Sequence, residues 1–284
     1  MNLSNHSKDA LKVINHSVNT ALEEDIGTGD VTAASFNNHE IASAKVISRE
    51  EAVLCGQKWF ELAFHKLDPN ITIDWQVNDG ESLTKDSTVC TLSGSAQAIL
   101  TGERTALNFL QTLSGTATKT KTYVDRISGT NAQILDTRKT LPGMRYAQKY
   151  AVRCGGGTNH RMGLFDAILI KENHIATAGS VSKAVNEAKQ QHPSIKLEVE
   201  VENVSQLKEA LKTKTDVILL DNFSLSELEN AVAFTDGKKK LEASGNMTLE
   251  NIREVAKTGV NFISIGAITK HVQAVDFSMR FKSE

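Results

Sequence analysis

Cysteine is scarce: only Cys55, Cys90 and Cys154 occur among 284 residues, an odd number with no CxxC spacing. Such usage suits a reducing compartment and excludes a disulfide framework or a cysteine-built zinc module. Surplus charge is missing as well. The 32 Lys and Arg residues nearly balance 34 Asp and Glu, and a net charge of −2 excludes broad attraction to a nucleic-acid backbone or a polybasic membrane patch. Any cationic site must therefore be local. No apolar run approaches the length of a membrane span, and MNLSNHSKDALKVINHS lacks the basic start and apolar block of a secretory leader, so the expected location is the cytoplasm. Gly/Ser linkers and low-complexity segments are absent too, and no GxGxxG follows a first strand.

Against these absences stands an ordinary globular composition, 40% hydrophobic and 23% charged, in a chain long enough for one large domain or two modest ones. To about residue 115, alternating stretches such as SAKVISRE and TIDWQVNDG mix with helical pattern, and Asp79-Gly80 marks a turn, so this part reads as α+β. AQAILTGERTALNFLQTLSG has helical spacing, with Leu100, Leu107 and Leu110 predicted to share an apolar face and Arg104 to lie on the same stripe. From about residue 131 the runs AQILD, DAILIK, KLEVEVE, DVILLD, KKLEAS and NFISIG alternate with amphipathic stretches, the pattern of βα units around a parallel sheet. SVSKAVNEAKQQ and NVSQLKEALKTK read as helices. FSLSELENAVAF opens on Ser224 with Glu227 three residues on, a capping box in which each side chain satisfies an orphan first-turn N–H. Six such units with short connections predict a barrel, complete or one to two strands short, rather than an open doubly wound sheet.

The runs end on polar residues or glycine: Asp136 with Arg138 and Lys139, then Lys171, Glu200, Asp221, Ser244 with Gly245, and Gly266. In a βα barrel all these ends open on one face, so the residues are predicted to converge. A charged strand end alone is explained by emergence into water. The set sorts further, into a cationic group (Arg138, Lys139, Arg161, Lys171 and His160) and an anionic pair (Glu200, Asp221). Arginine clamps carboxylate or phosphate bidentately and lysine adds a mobile point charge, so the expected ligand is a di- or polyacid beside a carboxylate-held metal or a developing cation. Ser244-Gly245-Asn246, after a strand and before TLENIREVAKTG, offers backbone amides for a phosphate-sized anion, with Gly266-Ala267 as neighbour. Gly155 to Gly157 supply a helix C-cap or a close backbone approach, Pro142-Gly143 reads as a turn, and Cys154 reads as a small packing residue because nothing marks an activated thiolate.

At this density of motif the chain resembles a known family. TRKTLPGMRYAQKYAVRCGGGTNHRMGLFDAILIKENH, followed by LEVEVEN, DVILLDN, LEASGN and FISIGAITKHVQAVDFS, resembles the quinolinate phosphoribosyltransferases, also called nicotinate-nucleotide pyrophosphorylases (carboxylating). The likeness extends upstream to LEEDIGTGDVT and LTGERTALNFLQTLSG and so covers nearly the whole chain. It implies an N-terminal α/β sandwich (1–115), an incomplete, seven-stranded α/β barrel (116–272) and a tail (273–284) packed back on the first domain. It also implies a cytoplasmic enzyme of NAD biosynthesis that joins quinolinate to 5-phosphoribosyl-1-pyrophosphate with Mg2+, acting as a homodimer or higher oligomer. By the same resemblance, Arg138, Lys139, His160, Arg161 and Lys171 hold the quinolinate carboxylates and part of the diphosphate, and Thr137 is a further substrate-binding residue. Glu200 and Asp221 stand near the ribose hydroxyls and metal, Ser244, Gly245, Asn246, Gly266 and Ala267 cradle the 5-phosphate, and Arg104 enters the neighbouring subunit's site. Lys139, Lys171, Glu200 and Asp221 are the expected catalytic residues; Leu141 and Asn246 depart from what many relatives carry, without touching a charge the chemistry needs.

The implied mechanism passes through an oxocarbenium-like state at ribose C1, stabilised by Glu200 and Asp221, with the unprotonated quinolinate nitrogen as nucleophile. The pyridinium formed is itself the electron sink for decarboxylation, so no protein-bound decarboxylation cofactor is expected. Two other readings are weighed against it: a phosphoribosyltransferase with a different acceptor, and a Schiff-base lyase using Lys171.

Overall fold

The computed structural model describes residues 7–35 and 40–281, which divide into two compact units: one contains residues up to 121, 140–156 and from 268 on, the other 122–139 and 157–267. The division is discontinuous, whereas the resemblance implied a single cut at 115/116 before the tail. In chain order the first half comprises α1 (Lys8–Ile26), β1 (Ile41–Ser48), β2 (Ala52–Val53), α2 (Gln57–His65), β3 (Thr72–Trp75), β4 (Ser82–Leu83), β5 (Thr88–Ser95) and α3 (Ala96–Arg126). The second comprises β6 (Gln133–Leu135), α4 (Arg145–Cys154), β7 (Ile168–Ile170), α5 (Glu172–Ala178), α6 (Val181–Gln191), β8 (Leu197–Val201) and α7 (Val204–Ala210). It ends with β9 (Val217–Asp221), α8 (Leu225–Thr235), β10 (Lys240–Ser244), α9 (Ile252–Lys257), β11 (Phe262–Ser264), α10 (Ala267–Lys270) and β12 (Phe277–Phe281).

In the first unit, α1 begins where the Ser7 hydroxyl accepts the Ala10 N–H and buries Ala10, Ile14, Val18 and Leu22, a fourfold spacing that lines one helical face. A four-stranded antiparallel sheet, ordered β12-β1-β5-β3, lies in the same unit, so the C-terminal strand adds to the edge of the N-terminal sheet. Trp59, Phe60 and Phe64 of α2 are fully buried in its core, with Phe60 edge-on to Trp75 at 5.2 Å. One sequence expectation fails on α3. Leu107 and Leu110 are buried, but Leu100 is 44% exposed and Arg104 is exposed, because on the first turns the cover falls on Ile99 instead. Arg104 is thus an outward residue and not part of a packed apolar stripe.

In the second unit, six parallel strands run β6-β11-β10-β9-β8-β7. The first strand pairs with the last, as in a barrel and unlike a doubly wound sheet. β6 and β7 are the two ends of this order, and beside β6 Thr158 makes an isolated parallel bridge to Leu135, donates to Ile134 O at 2.8 Å and accepts from the Asp136 N–H at 3.2 Å. Six strands and one bridged segment give the incomplete α/β barrel implied by the sequence. Local signals explain the outer helices. Ser180 caps α6, Asn203 caps α7, and Ser224 with Glu227 forms the expected capping box on α8. Strands β8 and β9 are buried nearly throughout, as strands covered on both faces must be.

Candidate active site

The rim at the C-terminal strand ends collects Thr137, Arg138 and Lys139 after β6, Lys171 after β7, Glu200 of β8, Asp221 of β9, Ser244 of β10 and Gly266 after β11. Parallel pairing fixes their mutual height: Ser244 stands opposite Asp221, and Glu200 lies one strand over, opposite Leu219. Lys171 Nζ donates to Glu200 Oε2 at 2.7 Å, so the lysine is ion-paired rather than set in the apolar pocket that a Schiff-base amine wants. Burial pushes the Glu200 carboxyl above its ordinary value, against the pull of Lys171, and the negative charges of Asp221 and Glu172 push it further. These two acids offer hard oxygen donors, the type that suits Mg2+.

The cationic wall depends on the loop between α4 and β7. Fully buried Asp136 accepts the His160 N–H at 2.9 Å and the Asn159 amide at 2.5 Å, which pins the start of that loop to the end of β6. Asp166 closes its other end by accepting the N–H groups of Met162 and Gly163 at 2.7 and 2.9 Å. Arg161 is held between them, one guanidinium nitrogen donating to Ala167 O at 3.3 Å. Its guanidinium is pushed down from its ordinary value by burial and then by the positive charge of Arg138, with Glu198 and Asp166 opposing.

His160 is held at both ring nitrogens. Its ring is 10% exposed, Nε2 is 2.9 Å from Glu198 Oε2, and Nδ1 accepts the Arg161 N–H at 2.8 Å. Both nitrogens are engaged within the protein, which sets the His160 ring between Glu198 and the Arg161 main chain.

A second cradle forms between β9, β10 and β11. Asn222, in left-handed conformation (φ 57°), donates its N–H to Ser244 O at 3.0 Å and its side-chain amide to Asp221 Oδ2 at 2.8 Å. Gly245 lies against that side chain with φ 95°, and a methyl group there would overlap Asn222 Oδ1. At Gly266 a methyl would come within 2.9 Å of Lys139 Cδ, so the Lys139 stem runs close over this glycine. Ala267 opens α10 directly behind it. Within TLENIREVAKTG the helix starts only at Ile252, where α9 begins. Asn251 accepts the Thr248 N–H at 2.9 Å and donates to Asn246 O at 3.0 Å, a local turn that replaces the first helical turn.

Arg104 belongs to the other unit and is exposed there. Cys154 is buried beside Cys55, whose thiol is pushed well up by burial, in keeping with the packing reading. Sequence reasoning missed Asn222, Glu198 and Glu242. The period of two in LEVEVE and KLEAS would have set Glu198 beside Glu200 and Glu242 beside Ser244 on inward faces.

The chain is similar to known proteins over nearly its whole length. Residues 30–114 match the family described as quinolinate phosphoribosyl transferase, N-terminal domain, and residues 116–280 match the corresponding C-terminal domain. The chain is 41% identical over 269 residues to the probable nicotinate-nucleotide pyrophosphorylase (carboxylating) of Bacillus subtilis, covering 94% of this chain and 92% of that one. It is 40% identical to quinolinate phosphoribosyltransferase (decarboxylating) 1b of Nicotiana tabacum, covering 94% and 82%. Among solved structures, the nicotinate-nucleotide pyrophosphorylase of Francisella tularensis superposes with a TM-score of 0.94 at 47% identity over 99% of both chains.

Proposed function

The chain belongs to the quinolinate phosphoribosyltransferase family, and on that premise we propose that it joins quinolinate to 5-phosphoribosyl-1-pyrophosphate, releasing pyrophosphate and carbon dioxide to give nicotinate mononucleotide. The observation that carries the reading is charge sorting at one barrel rim: Arg138 and Lys139 follow β6 and Lys171 follows β7, while Glu200 and Asp221 stand at the ends of β8 and β9.

Quinolinate brings two carboxylates and a ring nitrogen that is unprotonated at neutral pH. Arg138, Arg161 and Lys139 bind the carboxylates and turn that nitrogen toward ribose C1, a contribution of proximity and orientation that needs no general base. As pyrophosphate departs, positive charge grows on the ribose, and Glu200 and Asp221 stabilise it. Lys171 pairs with Glu200 at 2.7 Å and is free to follow the diphosphate when the substrate's own anions enter. The Gly245–Asn246 and Gly266–Ala267 backbone, with Ser244 and Thr137, receives the 5-phosphate. Mg2+ would be held by Glu200, Asp221 and the substrate, and would neutralise the leaving diphosphate. Bond formation makes the ring a pyridinium; the adjacent carboxylate leaves as carbon dioxide, its bonding pair stays on the ring carbon as an ylide stabilised by the cationic nitrogen, and that carbon takes a proton from water to give nicotinate mononucleotide.

Among the described residues no helix is long and apolar enough to cross a membrane, which supports a cytoplasmic location. Exposed Arg104, on the same outward row as exposed Leu100, supports assembly into at least a homodimer with Arg104 entering a neighbour's site. The test is an ultraviolet assay for nicotinate mononucleotide with quinolinate, phosphoribosyl pyrophosphate and Mg2+, with nicotinate as competing acceptor. Product from quinolinate and little from nicotinate is expected; preference for nicotinate would reassign the acceptor.

A further inference from the structure

Beneath the rim the barrel interior holds a polar cluster whose acids, Glu198 and Glu242, have no part in the chemistry above. Glu198 of β8 and Glu242 of β10 are 4% and 1% exposed, and their carboxylate oxygens lie within 4.8 Å of each other and of His160. They line a cavity of about 370 Å³ together with His160, Arg161, Lys196 and Lys240. Glu198 Oε2 meets His160 Nε2 at 2.9 Å, while Glu198 Oε1 and Glu242 Oε1 are buried without a hydrogen-bond partner. Two carboxyl groups in such contact cannot both be ionised. Burial and then the charge of Glu198 push Glu242 well up, so it keeps the shared proton.

The chain of contacts leads from there to the site. Because Nδ1 of His160 accepts the Arg161 N–H at 2.8 Å, the ring proton must sit on Nε2, facing Glu198. We propose that Glu198 is a positioning residue: it holds His160 in the Nε2–H tautomer, which leaves Nδ1 to fix the Arg161 main chain and so presents the Arg161 guanidinium to a substrate carboxylate. Asp136 does the complementary job by gripping the His160 N–H, so the His160-Arg161 pair is held at ring and backbone by two buried acids. A cation in place of the shared proton is disfavoured by the three cationic side chains that line the same cavity. The inference rests on the proposed function for the substrate that Arg161 meets, but not for the tautomer.

The experiment combines kinetics with ¹⁵N NMR of histidine side chains at neutral pH. In the wild-type protein without substrate, His160 should show a protonated Nε2 and an unprotonated Nδ1. Glu198→Ala should lose that tautomer and raise KM for quinolinate roughly tenfold or more, with kcat falling less and KM for phosphoribosyl pyrophosphate nearly unchanged. Glu198→Gln keeps an acceptor for the Nε2–H and should restore both the tautomer and most of the affinity. The wild-type spectrum keeps the idea falsifiable if the alanine variant does not fold: an Nδ1–H tautomer would overturn it. Equal rises in both KM values, or failure of the glutamine variant to rescue, would also overturn it. So would stoichiometric Mn2+ broadening the His160 signal, which would make the trio a metal site. Should the wild-type enzyme make no nicotinate mononucleotide, the functional reading fails, while the tautomer still reports on Glu198.

Discussion

Two carboxylate settings in this molecule invite comparison. In the first unit, Asp79 is 8% exposed and accepts from the Gly56 and Gln57 N–H groups at 2.9 and 3.3 Å and from Tyr150 OH at 2.7 Å. Every donor comes from the protein, and the neighbours Cys55 and Cys154 are buried thiols. In the second, Glu200 has Lys171 as its charged partner and faces the like charge of Asp221. The first arrangement is closed and buys local order; the second leaves charge uncompensated at a rim that water and ligand reach. A polar group whose partners are complete is a structural device, and one held in repulsion is poised for something that has not yet arrived.

The most severe way to break that contrast is to remove cations from the open setting. Lys139→Ala and Arg161→Ala should each lower turnover on the order of 10²–10³-fold, the range expected when one preorganised electrostatic contact is lost. Thermal unfolding should hardly change for Lys139→Ala, since that side chain is exposed. Activity near wild type in both variants would sink the assignment of the cationic wall.

These rim residues were legible because period and topology act together. Apolar runs of strand length ended on Lys171, Glu200, Asp221 and Ser244, and a parallel barrel sends every such end to one face. The capping box of Ser224 and Glu227 was legible for a simpler reason, being local in sequence. What escaped is what depends on meetings between distant elements. Spacing puts Glu198 and Glu242 on inward faces but does not say that two non-adjacent strands bring them together. The direction of the His160 ring depends on that same meeting. Arg104 shares a helical row with Leu107, yet where the cover over α3 begins is decided by the rest of the unit. Asn251 stopped α9 from starting early through a turn that competes with the helix, a choice the amphipathic pattern does not record.

A smaller effect sharpens the closed setting. Burial pushes the Asp79 carboxyl up to about 6, despite its three hydrogen bonds. A carboxyl raised on folding binds its proton more tightly in the native state, so its contribution is fully present below its ordinary value and is lost as pH rises through about 6. The shift corresponds to about 3 kcal/mol. Compared with Asp79→Asn, which does not titrate, the wild-type protein should lose stability by roughly that amount between pH 4 and pH 7 in denaturant titrations. A constant difference across that range would mean that Asp79 holds no extra proton in the fold.

The smallest effect tests whether the open setting has a rigid floor. Gly245→Ala forces a left-handed φ of 95° on a residue with a β-carbon and drives a methyl into Asn222 Oδ1. The backbone part costs about 1–2 kcal/mol; the overlap adds a part that belongs to the pair. Asn222→Gly removes the obstructing amide and tolerates the left-handed φ of 57° at its own position. The double variant should therefore regain the overlap part and retain the backbone part, giving a favourable coupling in a double-mutant cycle of stability. Activity should divide differently. Asn222 also ties Asp221 at 2.8 Å, so removing it frees that carboxylate, and the double variant should stay impaired in KM for phosphoribosyl pyrophosphate although its stability partly returns. Additive stabilities would show that Gly245 and Asn222 do not meet, and recovery of KM together with stability would show that the Asn222 tie to Asp221 is not part of the site's floor.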